Sequence, residues 1–320
     1  MNRREFVVGA LSLPAALRFA PEALAGGTPV ALVTADTQAR VIAVHLTTGK
    51  IYRSIPTLAG PRSVESISGI YGLVCHTAHA AISIIDGPSL QVRHVVRGFD
   101  EPRYTAASPN YRYAFVSDSG RHEVVTVDVI RGRIVGRVRV GGPARHLSLD
   151  RRGKILWVSL GSEAERIAIL DVSAPATPRL LHRLRPPFLA HDVGFGPSGR
   201  HIWVSSGDRE ALAVFDRRNG RVMRRLPADA PPQHVTFFGG NAYVASGDDG
   251  TLRVVSLEDG RVLHTTRIPF GSYNVQEAFG SIVTPSLQRG TLCVLDRSGR
   301  VRRTLRVAPS SHDACFVMSR

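Results

Sequence analysis

Eight residues stand where their chemistry would matter most: Arg103, His146, His191, Asp192, His234, Gln276, His312 and Asp313. Each lies at or just before the start of a short apolar run, at intervals that recur along the chain. Three of the histidines follow a Pro-x-x-His approach, from Pro143 to His146, Pro231 to His234 and Pro309 to His312. His191-Asp192 is echoed by His312-Asp313. Imidazoles meeting from separate segments can ligate zinc, copper, nickel or iron, with an aspartate as ligand or orienting partner. His191, His234 and His312 are the expected set for such a transition metal. The same groups could act as general acid and base. A rim of histidine and arginine could instead hold a small anionic ligand through charge-assisted hydrogen bonds. The blandest alternative is that water satisfies polar groups at a wet opening.

These residues converge only if the segments carrying them repeat. The inner runs begin near Val64, Tyr104, His146, Asp192, His234, Gln276 and Asp313, at intervals of 40, 42, 46, 42, 42 and 37 residues. After each comes a strand ending in small residues, such as Leu156-Trp157-Val158-Ser159 or Ile202-Trp203-Val204-Ser205. A third, alternating phrase then leads to a Gly turn, as in Val214-Phe215-Asp216 before Asn219-Gly220. Short β-branched or aromatic runs of period two, bounded by Gly, Asn, Asp and Pro, are strands. A period near forty with about four strands per unit predicts a seven-bladed β-propeller, an all-β fold. The phrase His312 to Val317 lacks a following strand, and Pro29 to Thr34 supplies it. One blade is therefore expected to close the ring by joining a C-terminal inner strand to N-terminal strands, making 26–320 one domain.

In that fold the inner-strand starts share a face with the loops between second and third strands. Those loops carry His76, His79, His122, Glu123, Glu163, Asp208, Asp248 and Asp249. Seven of the twelve histidines fall on this face, the main functional clue.

Composition bounds the rest. The 320 residues are 43% hydrophobic, enough for a large core, with a formal net charge of +15. Apart from Lys50 and Lys154 the basic residues are arginines, scattered rather than interleaved with aromatics, which weighs against nucleic acid as partner. The outermost strands are arginine-rich over 131–139, 217–225 and 300–306, as suits exposed sheet edges. Cys75, Cys293 and Cys315 have no metal or haem spacing and read as buried hydrophobes. There is no G-x-S-x-G elbow, phosphate loop or H-E-x-x-H pair.

Residues 1–25 read as an address rather than structure. Arg3-Arg4-Glu5-Phe6-Val7 resembles the twin-arginine export motif, and Ala23-Leu24-Ala25 is an A-x-A cleavage site. The motif's usual lysine is missing and Arg18 follows the apolar core, so the general secretory route stays open. A soluble periplasmic or extracellular monomer without a transmembrane segment is expected.

The phrases Trp-Val-Ser, Val-Phe-Asp…Asn-Gly-Arg-Val and Pro-Ser-Gly-Arg resemble the YVTN-type propeller repeat over nearly the whole mature chain. In layout the chain is also similar to exported propellers associated with quinone-dependent oxidation. The resemblance implies a fold that hosts binding proteins, assembly factors and enzymes alike. Two functions follow as expectations. One is a ligand- or partner-binding accessory protein acting through the channel mouth. The other is a propeller enzyme (a lyase, a lactonase-type hydrolase or a quinone-linked oxidoreductase) with a histidine-centred metal or acid/base site.

Overall fold

The computed structural model describes residues 27–320, so the export signal expected over 1–25 lies outside the described residues. Twenty-eight strands, numbered in chain order, form seven four-stranded antiparallel sheets among the described residues. The all-β, seven-bladed propeller expected from the sequence is the fold observed. Blade 1 orders β28 (Ala314–Ser319), β1 (Thr28–Ala35), β2 (Arg40–His45) and β3 (Ile51–Pro56) from inside outward. Blades 2 to 7 then use consecutive strands. Their innermost members are β4 (Ser63–Ile67), β8 (Pro102–Ala107), β12 (Leu147–Leu149), β16 (Ala190–Phe195), β20 (His234–Phe238) and β24 (Gln276–Ala278).

Closure is real hydrogen-bonded pairing: Val30 faces Val317, Ala31 faces Phe316 and Leu32 faces Cys315. The apolar alternation explains what holds neighbouring blades together. One side of each sheet packs on the blade before it and the other on the blade after it. Val33 and Ile42 meet Val283 and Leu292 across the junction of blades 7 and 1. On the other side of blade 1, Val30 and Val317 meet Val64 and Ile85 of blade 2. Cys75, Cys293 and Cys315 are buried free thiols within this packing.

The outermost strands show the opposite pattern. β27 (Val301–Arg306) is mostly exposed, and its arginines face solvent on an unpaired edge, where charge discourages sheet-to-sheet association. The hairpins expected before these strands turn at Gly220, Gly260 and Gly299, with φ of 64°, 79° and 81°. A side chain there would be strained. No helix among the described residues is long and apolar enough to cross a membrane.

Two local devices aim the inner strands. Register shifts interrupt β8 between Pro102 and Thr105, and β16 between Ala190 and Val193. Each lifts a pair of residues, Arg103-Tyr104 and His191-Asp192, out of the ladder and re-aims them. The small residue ending the second strand then pins the backbone. Ser117 Oγ accepts from the Tyr104 amide at 3.0 Å, Ser205 Oγ from the Asp192 amide at 3.0 Å, and Thr34 Oγ1 from the Asp313 amide at 3.0 Å.

Closure carries a stability consequence. Val317 is fully buried between blades 1 and 2. Val317→Asp, which places a carboxyl there without a partner, is expected to cost more than about 3 kcal/mol in denaturant unfolding. Arg306→Gln on the exposed outer strand should stay within about 0.5 kcal/mol. Equal effects would contradict a packed closing strand.

Candidate functional site

The ring positions converge on a channel of about 380 Å³ whose wall includes Glu65, Tyr104, His146, Asp192, His234 and Asp313. Its two halves differ in chemistry. Blades 3 to 6 supply Tyr104, His146, Asp192 and His234, and blades 7, 1 and 2 supply Gln276, Asp313 and Glu65; His191, His312 and Arg103 are not among the wall residues.

On the histidine side, potential ligand atoms of His146, His191 and His234 all lie within 4.8 Å of one another. The His146 ring is central, with centroids 4.5 Å from His191 and 4.6 Å from His234. In each ring Nδ1 is already engaged. That of His146 is 2.8 Å from the His191 carbonyl, and that of His191 is 2.9 Å from the Ser162 carbonyl. His234 Nδ1 lies 3.2 Å from Asp192 Oδ2. An imidazole donating Nδ1–H to a carbonyl or carboxylate keeps Nε2 as the lone-pair nitrogen, the tautomer a metal requires. His146 Nε2 is buried and has no hydrogen-bond partner. The Asp192 carboxylate is itself fixed, because Oδ1 accepts from the Val193 amide at 2.7 Å.

Burial holds His146 well below the usual imidazole range, and the neighbouring His191 and His234 lower it further. His191 is brought down to about 4, chiefly by burial and then by His234. These two rings are therefore neutral near pH 7. Burial also disfavours charge on His234, but the Asp192 carboxylate outweighs it and raises this ring.

The other side of the channel is acidic. Burial and nearby Asp313 push Glu65 up to about 8. Its Oε2 receives a hydrogen bond from Gln276 Nε2 at 3.4 Å. Burial lifts Asp313 to about 7, against the pull of His234 and of the Val64 and Ala314 amides that its oxygens accept at 3.0 and 2.7 Å.

The sequence-derived set is thus brought together unevenly. His146 completes the histidine cluster with His191 and His234, in the place expected for His312. The physical reason is adjacency: His146, His191 and His234 come from three neighbouring blades, whereas His312 belongs to blade 1. His312 Nδ1 is 3.0 Å from the Arg62 carbonyl, and burial plus the Arg62 charge hold the ring well below its usual range. Arg103 pairs with Glu101 at 3.1 Å. The loop residues whose partners are seen mostly bind within their own blades. His76 is buried between the Ala59 carbonyl and Ser83 Oγ, at 3.3 and 2.9 Å. Glu123 pairs with Arg137, Asp208 accepts from the Leu189 amide at 3.1 Å, and Asp249 accepts from the Ala230 amide at 2.6 Å.

Glu65, Tyr104 and Arg145 were not among the sequence-derived site residues. Tyr104 lies against His146, with ring centroids 3.9 Å apart, and Arg145 sits 6.0 Å from the Tyr104 centroid. The available signal was a charged residue beside Val64 at an inner-strand start, and an arginine immediately before His146.

No protein-family model matches the chain. Protein NirF of Stutzerimonas stutzeri is 25% identical over 131 residues, a match spanning 40% of this chain and 32% of that protein's length. Hydrazine synthase of Kuenenia stuttgartiensis superposes with a TM-score of 0.72 at 16% identity, covering 82% of this chain and 90% of the other. Apo AztD from Citrobacter koseri gives 0.71 at 13% identity, covering 91% and 98%. A functionally unknown protein from Desulfotomaculum acetoxidans gives 0.77 at 12% identity, covering 91% and 99%. At these identities the structural likeness shows the fold alone.

The acidic half predicts a pH signature. Glu65 binds its proton more tightly folded than at the ordinary value of 4.5, so this contribution to stability is complete below 4.5 and lost as pH rises through about 8. Thermal melts across that interval should show Glu65→Gln losing less stability on the alkaline side than the wild type. Identical alkaline slopes would show that Glu65 titrates normally.

Proposed function

We propose that this protein is an exported binding or accessory propeller that holds one divalent transition-metal ion at the channel mouth through His146, His191 and His234. The convergence of three imidazoles with their Nδ1 atoms engaged carries this reading. Imidazole suits zinc, copper, nickel and iron, and three ligands leave a coordination position open toward the channel. Asp192 positions His234 rather than ligating. The twin-arginine-like segment at Arg3-Arg4 supports a periplasmic or extracellular setting.

A second reading, metal-assisted catalysis, is favoured by Asp313. A bound ion with an open position can activate water, and a carboxyl held near 7 can exchange protons with a substrate in the channel. A lactonase-type activity lost in Asp313→Asn while metal is retained would support it. Hydrolysis unchanged in that variant would remove Asp313 from any such chemistry.

Metal analysis and calorimetry test the primary reading. Wild type should bind about one zinc ion per chain. Single alanine substitutions of His146, His191 or His234 should abolish stoichiometric binding, and Asp192→Asn should weaken it about 10- to 100-fold. His312→Ala should bind as wild type. Affinity should fall on acidification, because His234 must lose its proton to bind. A wild-type protein that takes up no metal would sink the proposal.

A further inference from the structure

Arginines stand at or just before the inner-strand starts of three successive blades, and two of them are ion-paired. Arg62 reaches Asp36 at 3.2 Å and Arg103 reaches Glu101 at 3.1 Å. Arg145 has no ion pair among the described residues. Its Nε is buried without a hydrogen-bond partner, and its guanidinium lies by the Tyr104 ring at 6.0 Å. Tyr104 in turn packs on His146 at 3.9 Å and lies 5.9 Å from His234.

A guanidinium there poses an electrostatic problem if the trio holds an ion. Three neutral imidazoles, with the single Asp192 carboxylate behind His234, leave a divalent ion with net positive charge, and a fixed cation nearby repels it. An anion between the two resolves the conflict. The guanidinium fork matches the two coplanar oxygens of a carboxylate in spacing and planarity. The open position left by three histidine ligands supplies the anion's other contact.

We propose that the site binds its metal together with a small carboxylate-type anion, bicarbonate or a short organic acid, which takes the open coordination position and is held by Arg145. The proposal rests on the metal reading above and adds the class of the co-ligand. Tyr104 positions Arg145. Tyr104, His146 and His234 line the channel of about 380 Å³, room for a molecule of this size.

Zinc titrations of the whole protein with and without bicarbonate or acetate, at matched ionic strength, test this. Wild type should bind zinc at least about tenfold more tightly with the anion present, a difference of about 1.4 kcal/mol. Arg145→Gln should lose the enhancement, Arg145→Lys should recover part of it, and Arg218→Gln on the outer surface should keep it. Cobalt(II) gives an independent readout: its visible spectrum should shift on adding the anion to wild type and not to Arg145→Gln. Equal enhancement by perchlorate, an enhancement surviving in a folded Arg145→Gln, or zinc binding indifferent to anions each overturns the co-ligand while leaving the metal site intact. Absence of zinc binding in wild type overturns both.

Discussion

The pairing of β28 with β1 is the contact on which the channel depends. A sheet stack that curves but does not close would leave an open edge and a cleft instead of an axis. Once blade 1 packs against blades 7 and 2, every innermost strand must start near the same line. The side chains at those starts then have little choice of neighbours. The fold thus converts a spacing of about forty residues along the chain into contacts of a few ångströms.

The period, the blade number and the closing arrangement were legible because they are written redundantly. Each unit repeats the small-residue strand ending and the Gly turn, so an error in one copy is corrected by the others. The site is written once, and single copies are easily misread. His312-Asp313 looks like a second His191-Asp192, and in part it behaves so: Asp313, like Asp192, accepts the amide that follows it. Consecutive blades are neighbours, so the chain order itself sets His146 beside His191 and His234; the likeness of the two His-Asp pairs drew attention to His312 instead. Glu65 and Arg145 were obscured for another reason. A lone charge beside an apolar residue looks like a solvent-facing position on a half-exposed strand, until the axis turns it inward. His76 shows the opposite case, since sharing a face with the channel did not bring its side chain there.

The two halves of the channel make a complementary electrostatic design. Enclosure works against charge on both sides, but in opposite senses. It keeps His146 and His191 unprotonated, favours the protonated form of Glu65 and raises Asp313 to about 7, so that near neutrality part of the wall is uncharged although built from ionisable groups. Asp192 is tied to its own strand and to His234. Such a wall can answer the arrival of a charged guest by releasing protons, with little movement of the backbone, because hydroxyls of the second strands hold the inner-strand amides.

The way blade 1 is assembled also sets an order of events during synthesis. The three histidines lie between residues 146 and 234, on strands made and folded one after another. Asp313 reaches its place only when β28 docks on β1, after nearly the whole described chain has emerged from the ribosome. A nascent protein therefore has its three imidazoles and Glu65 made well before Asp313 takes its place. The ring is closed only when β28 docks on β1, so Asp313 is the last of these groups to join the axis.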